Sequence, residues 1–251
     1  MIDLYAMECP QTVSAGHYHL LRGICSASRR EQVRKLVYQR DREIAVFTEC
    51  LARYCIAKKF GFSFETLSFF TTRYGKPYIT GTLEYFFNMS HSGDYIICGL
   101  SNEPIGVDVE KIGKAPLEVA EYCFSADEKR VLFEKKGKEA DKYFYALWTL
   151  KEAYLKMDGT GLQNIDRCSF SVDWENGKIK CFIDGKIIEQ FVFSLMEGED
   201  YIMASCGDGQ AELHQVAFEE LIEYIQWHTE DGKSTDSTLC ELPLCSTKMK
   251  N

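Results

Sequence analysis

Three carboxylates and a lysine stand out as residues whose types and spacing could support chemistry. Asp108 and Glu110 alternate with two valines, so on a strand both carboxylates face one side, about 6.5–7 Å apart. Glu152 and Lys156 lie four residues apart in a helical segment, on one face of that helix. If the fold brings the two pairs together, they suit a hard cation such as Mg²⁺ and a phosphate.

Each pattern also has an ordinary interpretation. Acidic alternation is common on the exposed face of a strand. Glu152 and Lys156 could form a solvated ion pair worth about 0.3–0.5 kcal/mol. Trp148, one turn before Glu152, is typical of core packing. The patterns therefore gain meaning only in combination.

Two further segments carry polar groups between predicted strands. Residues 88–94 read as a loop in which Ser90 could donate to a phosphate and His91 could contact a ligand, or as a polar turn with a surface histidine. Lys76 lies in a Gly/Pro turn, where it could serve as a point charge for phosphate or simply belong to an ordinary turn.

Composition indicates a globular protein. The 251 residues suit one large domain or two of about 110 residues. No apolar run approaches the roughly 18 residues that span a bilayer, and the N-terminus does not resemble a signal peptide, so we expect a cytoplasmic protein without membrane contact. The eleven cysteines are odd in number and form no Cys-x-x-Cys pair, which predicts reduced structural thiols.

Charge is unevenly distributed along the chain. The net charge of −9 argues against general nucleic-acid binding. From Arg22 to Lys59, however, ten basic residues face only four acidic ones. This stretch is either a solvated helix face or a patch for a polyanionic ligand or an acidic partner.

Periodicity predicts an α+β fold. Helices are expected at Arg42–Phe60, from a capping box at Ser125, at Asp141–Met157 and at Phe218–Trp227. Strands are expected at Leu67–Thr72, Tyr85–Met89, Tyr95–Leu100 and Ile105–Glu110, and again at Ser169–Trp174, Ile179–Ile183, Phe191–Ser194 and Tyr201–Cys206.

Helical material followed by a strand cluster occurs twice, which predicts two similar α+β halves packed together. The switch between them falls near Gly113 to Pro116. We therefore expect an N-terminal half at residues 1–113, a C-terminal half at 114–228 and a flexible tail at 229–251.

An ordered set of motifs covers about Gly75 to Gly161. In chain order it reads Gly75-Lys76-Pro77, Phe87-Asn88-Met89-Ser90-His91-Ser92, Ile105-Gly106-Val107-Asp108-Val109-Glu110, Phe124-Ser125 and Trp148-Thr149-Leu150-Lys151-Glu152-Ala153-Tyr154-Leu155-Lys156. This set resembles the 4′-phosphopantetheinyl transferases, in particular the long, pseudo-dimeric type that activates peptide and polyketide synthetases. The resemblance implies a pseudo-dimer with its active site at the junction of the halves.

The resemblance implies an activity and a set of ligands. Members of that family move the phosphopantetheine arm of coenzyme A onto a serine of an acyl or peptidyl carrier protein and release adenosine 3′,5′-bisphosphate. By position, Asp108, Glu110 and Glu152 match the Mg²⁺ ligands. Glu152 also matches the candidate base for the serine proton, and Lys156 matches the lysine that contacts the phosphates. We expect the enzyme to act as a monomer.

Further positions match the family's contacts to coenzyme A. They are Lys76, Ser90 and His91, with His91 near the 3′-phosphate, and Arg29 falls where a lysine is usual. The basic N-terminal stretch corresponds to the region that supplies cations for the nucleotide end. The chain departs from the family at Ile44-Ala45, where an arginine followed by serine or threonine is usual, and at Gln32, a second basic position.

Two other functions remain open at this stage. Three acids and a lysine could serve a different Mg²⁺-dependent enzyme that cleaves phosphodiesters and needs no carrier. The chain could also be a non-catalytic module that binds coenzyme A or a carrier protein. Intact Asp108, Glu110, Glu152 and Lys156 argue against this second alternative, and Ile44-Ala45 keeps it open.

Overall fold

A computed structural model describes residues 1–64 and 66–230. The chain begins with β1 (Ile2–Glu8), α1 (Ala15–Ile24), α2 (Ala27–Lys35), α3 (Gln39–Phe60), β2 (Phe69–Thr71), β3 (Pro77–Ile79), β4 (Phe86–Ser92) and β5 (Tyr95–Ser101). It continues with β6 (Gly106–Lys111), α4 (Leu117–Cys123), α5 (Ala126–Glu134), α6 (Lys138–Asp158), β7 (Cys168–Asp173), β8 (Lys178–Ile183), β9 (Lys186–Ile188), β10 (Val192–Glu197), β11 (Tyr201–Gly207), β12 (Ala211–Gln215) and α7 (Phe218–Glu230).

Two sheets form the centre of the protein. The first has the strand order β12-β1-β5-β4, with β1 antiparallel to β5 and parallel to β12. The second has the order β10-β11-β6 and is antiparallel throughout. Strands β2 and β3 form a small separate sheet, as do β7, β8 and β9. Strand β4 packs against β6, so the two central sheets meet at these strands.

The predicted pair of similar α+β halves is confirmed. A strand, three helices, a small sheet and a hairpin occur in that order from β1 to β5 and again from β6 to β11. Helix α3 packs on β4 and β5, and helix α6 packs on β6 and β11. Strand β12 and helix α7 then return to the first half, where α7 packs on α1 and α3.

The chain's exact division at residue 113 stays a prediction. In the repeated element order, β6 corresponds by position to β1 and is the first strand of the second series. Its backbone pairs with β11, which follows it by about ninety residues, rather than with a strand of the first sheet. The predicted boundary near Gly113 to Pro116 follows this strand.

Local signals placed several elements correctly. The long helices α3 and α6 end at Gly61 and Gly159, both in the left-handed conformation with φ of 73° and 77°. The capping box at Ser125 is present at the start of α5, where Glu128 bonds back to the Ser125 backbone. Predicted strand and helix positions match their elements with shifts of a few residues at the ends.

The loop predicted at residues 88–94 is wrong, because β4 continues through Asn88, Ser90 and His91 to Ser92. Its residues pair with β5 up to the Ser92–Tyr95 pair, and the hairpin turns at Gly93 and Asp94. The segment reads as a loop because it is polar. Its polar side chains instead bond to β6, as Asn88 Oδ1 does in accepting from the Val107 backbone at 2.9 Å.

Other elements carry weak local signals, and the sequence did not predict them: β1, α1, α2, β3, α4, β9 and β12. Helix α7 extends to Glu230, three residues beyond its predicted end. Residues 231–251 of the predicted tail lie outside the described residues. In the described ranges, no helix combines the length and apolar character needed to cross a membrane. The nine cysteines described are free thiols, as expected.

Candidate active site

Strand β6 presents its acids as its alternation predicted. Val107 and Val109 are fully buried in the core between the sheets, whereas Asp108 and Glu110 lie on the opposite face. Helix α6 packs directly over this strand because Gly106 has no side chain. A Cβ at Gly106 would lie 1.9 Å from the Ala153 carbonyl oxygen, so only glycine permits this approach. The close contact brings the last turns of α6 to the acids of β6.

Asp108 lies at the centre of the site and is only 2% exposed. Its Oδ1 accepts hydrogen bonds from Lys156 Nζ at 2.6 Å and from Ser90 Oγ at 2.7 Å. Lys156 Nζ also donates to Ser90 Oγ at 2.9 Å. Burial lowers the pKa of Lys156, but the charge of Asp108 and its hydrogen bond outweigh burial and raise that pKa above its ordinary value. This triad joins the first half, through β4, to α6.

Glu110 accepts hydrogen bonds at both carboxylate oxygens. Ser92 Oγ donates to Oε2 at 2.8 Å, and Trp148 Nε1 donates to Oε1 at 3.1 Å. Burial and the neighbouring Asp108 raise the pKa of Glu110, and the two hydrogen bonds partly oppose that rise. Trp148 therefore contacts the site through its N–H in addition to packing against Phe144.

Glu152 is partly buried on α6, beside the two acids of β6. Burial, together with the charges of Asp108 and Glu110, raises the pKa of Glu152 to about 7, and the charge of Lys156 partly opposes this rise. No hydrogen bond engages its carboxylate among those described. A side chain whose pKa is near neutrality and whose oxygens make no other hydrogen bond can accept or return a proton.

The side chains of the site fit a hard cation. Asp108 Oδ2 is buried without a hydrogen-bond partner, so this oxygen can still bind a cation. Asp108, Glu110 and Glu152 offer only oxygen, the atom type that Mg²⁺ prefers. Across the described residues, no three His, Cys, Asp or Glu side chains are already grouped tightly enough to enclose an ion. Mg²⁺ typically uses one or two carboxylates and completes its shell with waters and substrate phosphates.

His91 and Arg29 lie beside this cluster. His91 is exposed on β4, and partial desolvation by the packed protein lowers its pKa, as do the nearby positive charges of Lys156 and Arg29. Arg29 is paired with Glu49 at 3.3 Å and donates to Gln32 at 2.8 Å. Arg29 is thus held against α3 through Glu49, and its charge acts on His91.

The basic stretch from Arg22 to Lys59 is largely neutralised within the fold. Several of its cations pair with acids: Arg29 and Arg53 with Glu49, Arg40 with Asp94, Lys58 with Glu220 and Lys59 with Asp3. These contacts favour a structural role for most of the stretch over an open polyanion patch. Ile44 and Ala45 are 5% and 7% exposed and belong to the core of the first half, so neither presents a group to a phosphate.

Lys76 approaches the site from the first half. Its Nζ donates to the Met157 carbonyl at 2.6 Å and to the Ile105 carbonyl at 3.3 Å. Burial lowers the pKa of Lys76 to about 8. The residue also lines a cavity of about 270 Å³ together with Glu152 and Lys156. The structure thus brings Lys76, Ser90, Asp108, Glu110, Glu152 and Lys156 to one junction.

The sequence did not assign roles to three residues of the site. Gly106 permits the helix contact, and Ser92 and Trp148 bond Glu110. Ser92 shares the face of Ser90 on a strand, and this spacing would have shown its position had the segment been predicted as a strand. Nothing local indicates the hydrogen bond from Trp148, because its acceptor lies 38 residues away.

Two family models match consecutive parts of this chain. One is described as 4′-phosphopantetheinyl transferase, N-terminal, and matches residues 13–103. The other is the 4′-phosphopantetheinyl transferase superfamily and matches residues 104–206. Together they cover both halves and divide them just before β6.

Curated relatives are similar over most of their length. A 4′-phosphopantetheinyl transferase of Bacillus subtilis is 31% identical over 206 residues, which is 82% of this chain and 92% of that protein. The 4′-phosphopantetheinyl transferase Sfp of Bacillus subtilis (strain 168) is 29% identical over 88% of this chain and 100% of that protein. The L-aminoadipate-semialdehyde dehydrogenase-phosphopantetheinyl transferase of Xenopus laevis is 28% identical over 84% of this chain and 78% of that protein.

Among solved structures, a holo-(acyl-carrier-protein) synthase from Bacillus anthracis str. Ames, in complex with coenzyme A, matches part of the chain. The match covers 41% of this chain and 93% of that one, at 20% identity and a TM-score of 0.36.

Proposed function

This chain belongs to the 4′-phosphopantetheinyl transferases, and we propose that the acids and lysine at the junction of its halves carry out the transfer. The enzyme transfers the 4′-phosphopantetheine of coenzyme A to a serine of a carrier protein. The serine oxygen forms a bond to the phosphorus next to pantetheine, the pyrophosphate P–O bond breaks, and adenosine 3′,5′-bisphosphate leaves. The observation that carries the assignment is the convergence of Glu152, Asp108 and Lys156 across β6 and α6.

Asp108, Glu110 and Glu152 would hold Mg²⁺. The unpartnered Asp108 Oδ2 and the oxygen-only donor set support this assignment. When bound, the ion offsets the negative charge of the coenzyme's pyrophosphate.

Glu152 would accept the proton of the carrier serine, directly or through water. Glu152 is partly buried on α6, and no described hydrogen bond engages its carboxylate, so its oxygens keep acceptor sites for that proton. Lys156 stays charged because Asp108 stabilises it, so it can contact the phosphates and stabilise the departing one. Its charge is fixed in place by Asp108 and Ser90.

Coenzyme A would bind along β4. Ser90 lies next to Lys156 on the side of β4 that meets β6, and His91, the next residue, lies on the other side of the strand. Arg29 is on α2, where it pairs with Glu49 of α3. We assign His91 and Arg29 to the 3′-phosphate end, where Arg29 supplies a permanent charge. Lys76 lines the cavity beside Glu152 and contributes charge there at pH values below about 8.

We further propose that the enzyme acts as a monomer in the cytoplasm, on acyl or peptidyl carrier proteins, without nucleic-acid or membrane partners. Both sides of the junction come from one chain, which supports a site that is complete in a monomer. The net charge of −9 supports the expectation about nucleic acid.

The test is transfer to a carrier. With coenzyme A, Mg²⁺ and an apo carrier protein, mass spectrometry should show the carrier heavier by one phosphopantetheine. Glu152→Gln should lower the rate by about 10²–10⁴-fold, because the base is lost. Glu212→Gln is the matched control, because Glu212 is exposed on β12, and it should keep the wild-type rate.

Two outcomes would redirect the assignment. Calorimetric binding of coenzyme A without transfer to any of several carriers would favour a non-catalytic binding module. Release of nucleotide from coenzyme A in the absence of a carrier would favour a hydrolase. An unchanged rate in Glu152→Gln would contradict the role given to this carboxylate.

A further inference from the structure

Glu110 is held from two sides by parts of the chain that are distant in sequence. Ser92 ends β4 in the first half, and Trp148 lies on α6 in the second. The hydroxyl of Ser92 donates to one oxygen of Glu110 and the indole N–H of Trp148 donates to the other. A carboxylate oxygen has two acceptor sites, so each Glu110 oxygen keeps one for another partner.

Both donors are themselves fixed. Ser92 Oγ accepts from the Lys111 backbone N–H at 3.0 Å, which ties its hydroxyl to β6. The Trp148 ring lies nearly parallel to the Phe144 ring, with an interplanar angle of 9° and centroids 6.2 Å apart. Neither donor can turn freely, so together they determine the rotation of the Glu110 carboxylate.

Fixing this carboxylate matters because it stands next to another acid. Asp108 and Glu110 lie two residues apart on one face of β6, so their like charges repel each other. An unrestrained glutamate side chain would turn away toward solvent and would lose rotamer freedom again on binding a cation. A carboxylate that hydrogen bonds already hold in place avoids that cost. Side chains that bind metals are commonly oriented in this way, by hydrogen bonds from residues that do not touch the metal.

We propose that Trp148 and Ser92 are positioning residues that hold Glu110 ready to bind the divalent cation. The inference rests on the proposed function, since it assumes that Asp108 and Glu110 face that ion. It gives Trp148 a polar role beyond core packing. It also predicts that removing either donor weakens cation binding while the fold stays intact.

The experiment measures cation binding apart from turnover. Mn²⁺ is titrated into the full chain with saturating coenzyme A and no carrier, and free Mn²⁺ is followed by electron paramagnetic resonance. Trp148→Phe keeps an aromatic ring next to Phe144 but removes the N–H donor, and it should weaken Mn²⁺ binding about tenfold, as expected for the loss of a hydrogen bond to a charged group. Ser92→Ala should weaken it several-fold.

Control variants keep the residue types but move them away from the site. Trp174 follows β7, and Ser171 lies on the exposed side of that strand. The variants Trp174→Phe and Ser171→Ala should both bind Mn²⁺ like the wild type. Circular dichroism and thermal unfolding check that each variant folds. In a Glu110→Ala background, Trp148→Phe should cause no further loss, because its effect passes through Glu110.

The results separate the two levels of inference. If Asp108→Ala weakens Mn²⁺ binding and Trp148→Phe and Ser92→Ala do not, the positioning role is wrong and the cation site stands. If Asp108→Ala leaves Mn²⁺ binding unchanged, the cation site itself is wrong. An equal loss from Trp148→Phe with and without Glu110 would assign Trp148 a structural role and overturn the proposal.

Discussion

Lys156 Nζ lies 2.6 Å from Asp108 Oδ1, and this ion pair joins the last turns of α6 to the middle of β6. The Asp108 side chain is 3% exposed and that of Lys156 is 28% exposed. The lysine satisfies one oxygen of the aspartate, and the other oxygen is buried without a partner. The protein thus contributes one positive charge to a cluster of three acids, which leaves the cluster suited to a further cation.

Lys156→Met should destabilise the metal-free protein. It leaves the buried Asp108 charge without its partner, and the free energy of unfolding should fall by about 3–5 kcal/mol. Urea denaturation in the presence of a chelator measures this. The double variant with Asp108→Asn should recover part of the loss, since both charges are then gone. Additive losses in the double variant would argue against direct coupling.

Lys151 should behave differently from Lys156, although both lie on α6. Its Nζ is buried 3.1 Å from Glu128, whose carboxylate also accepts from the Phe170 backbone. Lys151→Met should lower the free energy of unfolding by about 3–5 kcal/mol because it leaves Glu128 buried and unpaired. The folded fraction should still transfer phosphopantetheine at a near wild-type rate in the carrier mass assay. A loss of turnover like that of Glu152→Gln, at full stability, would contradict this separation.

Lys76 should make stability depend on pH. Its pKa is lowered by burial from 10.5 to about 8 in the folded protein, so the charged form is disfavoured by folding. The penalty is complete below about pH 8 and is relieved as pH rises toward the unfolded value. Relative to Lys76→Met, the wild type should gain about 2 kcal/mol of unfolding free energy between about pH 7.5 and about pH 9.5. Denaturation curves of the two proteins at both pH values measure this difference, and parallel pH dependence would refute it.

Gly106→Ala should prevent the close contact of α6 with β6. The added Cβ would lie 1.9 Å from a backbone oxygen, which no side-chain rotation can relieve. The protein should lose more than about 4 kcal/mol of stability or fail to fold, and activity should be lost with it. Gly23→Ala is the matched control. Gly23 is exposed on α1, no atom lies within 4 Å of the new Cβ, and the variant should gain about 0.5–1 kcal/mol of stability. Thermal unfolding of both variants decides the comparison.

Much of the site followed from spacing. The alternation at β6 correctly predicted that Asp108 and Glu110 oppose two buried valines. The helical period placed Glu152 and Lys156 together on α6, and glycine and serine signals located helix ends at Gly61, Gly159 and Ser125. These features succeed because burial of one face imposes a period on the sequence, and helix ends need particular residues to satisfy the backbone.

Residues 88–92 show what a pattern within one segment does not predict. The predicted strand at Tyr85–Met89 is present, but it continues to Ser92, and its last residues read as a loop because Ser90 and Ser92 are polar. Each of the side chains of Asn88, Ser90 and Ser92 is satisfied by a group of β6 or its acids, which lies 18 or 19 residues along the chain. A pattern within one segment cannot show that a partner strand will be there.

The amino-acid sequence alone determined the fold class, the two similar halves and, through its ordered motifs, the family, and it singled out the acids and lysine that meet at the junction of the halves. The folded chain decided which groups meet. Parallel pairing of β12 with β1, the burial of Lys151 on Glu128 and the two donors on Glu110 all join residues that are distant in sequence. Periodicity reports which side of an element is buried. The partner on that side depends on how the elements are arranged in three dimensions, which no single segment encodes.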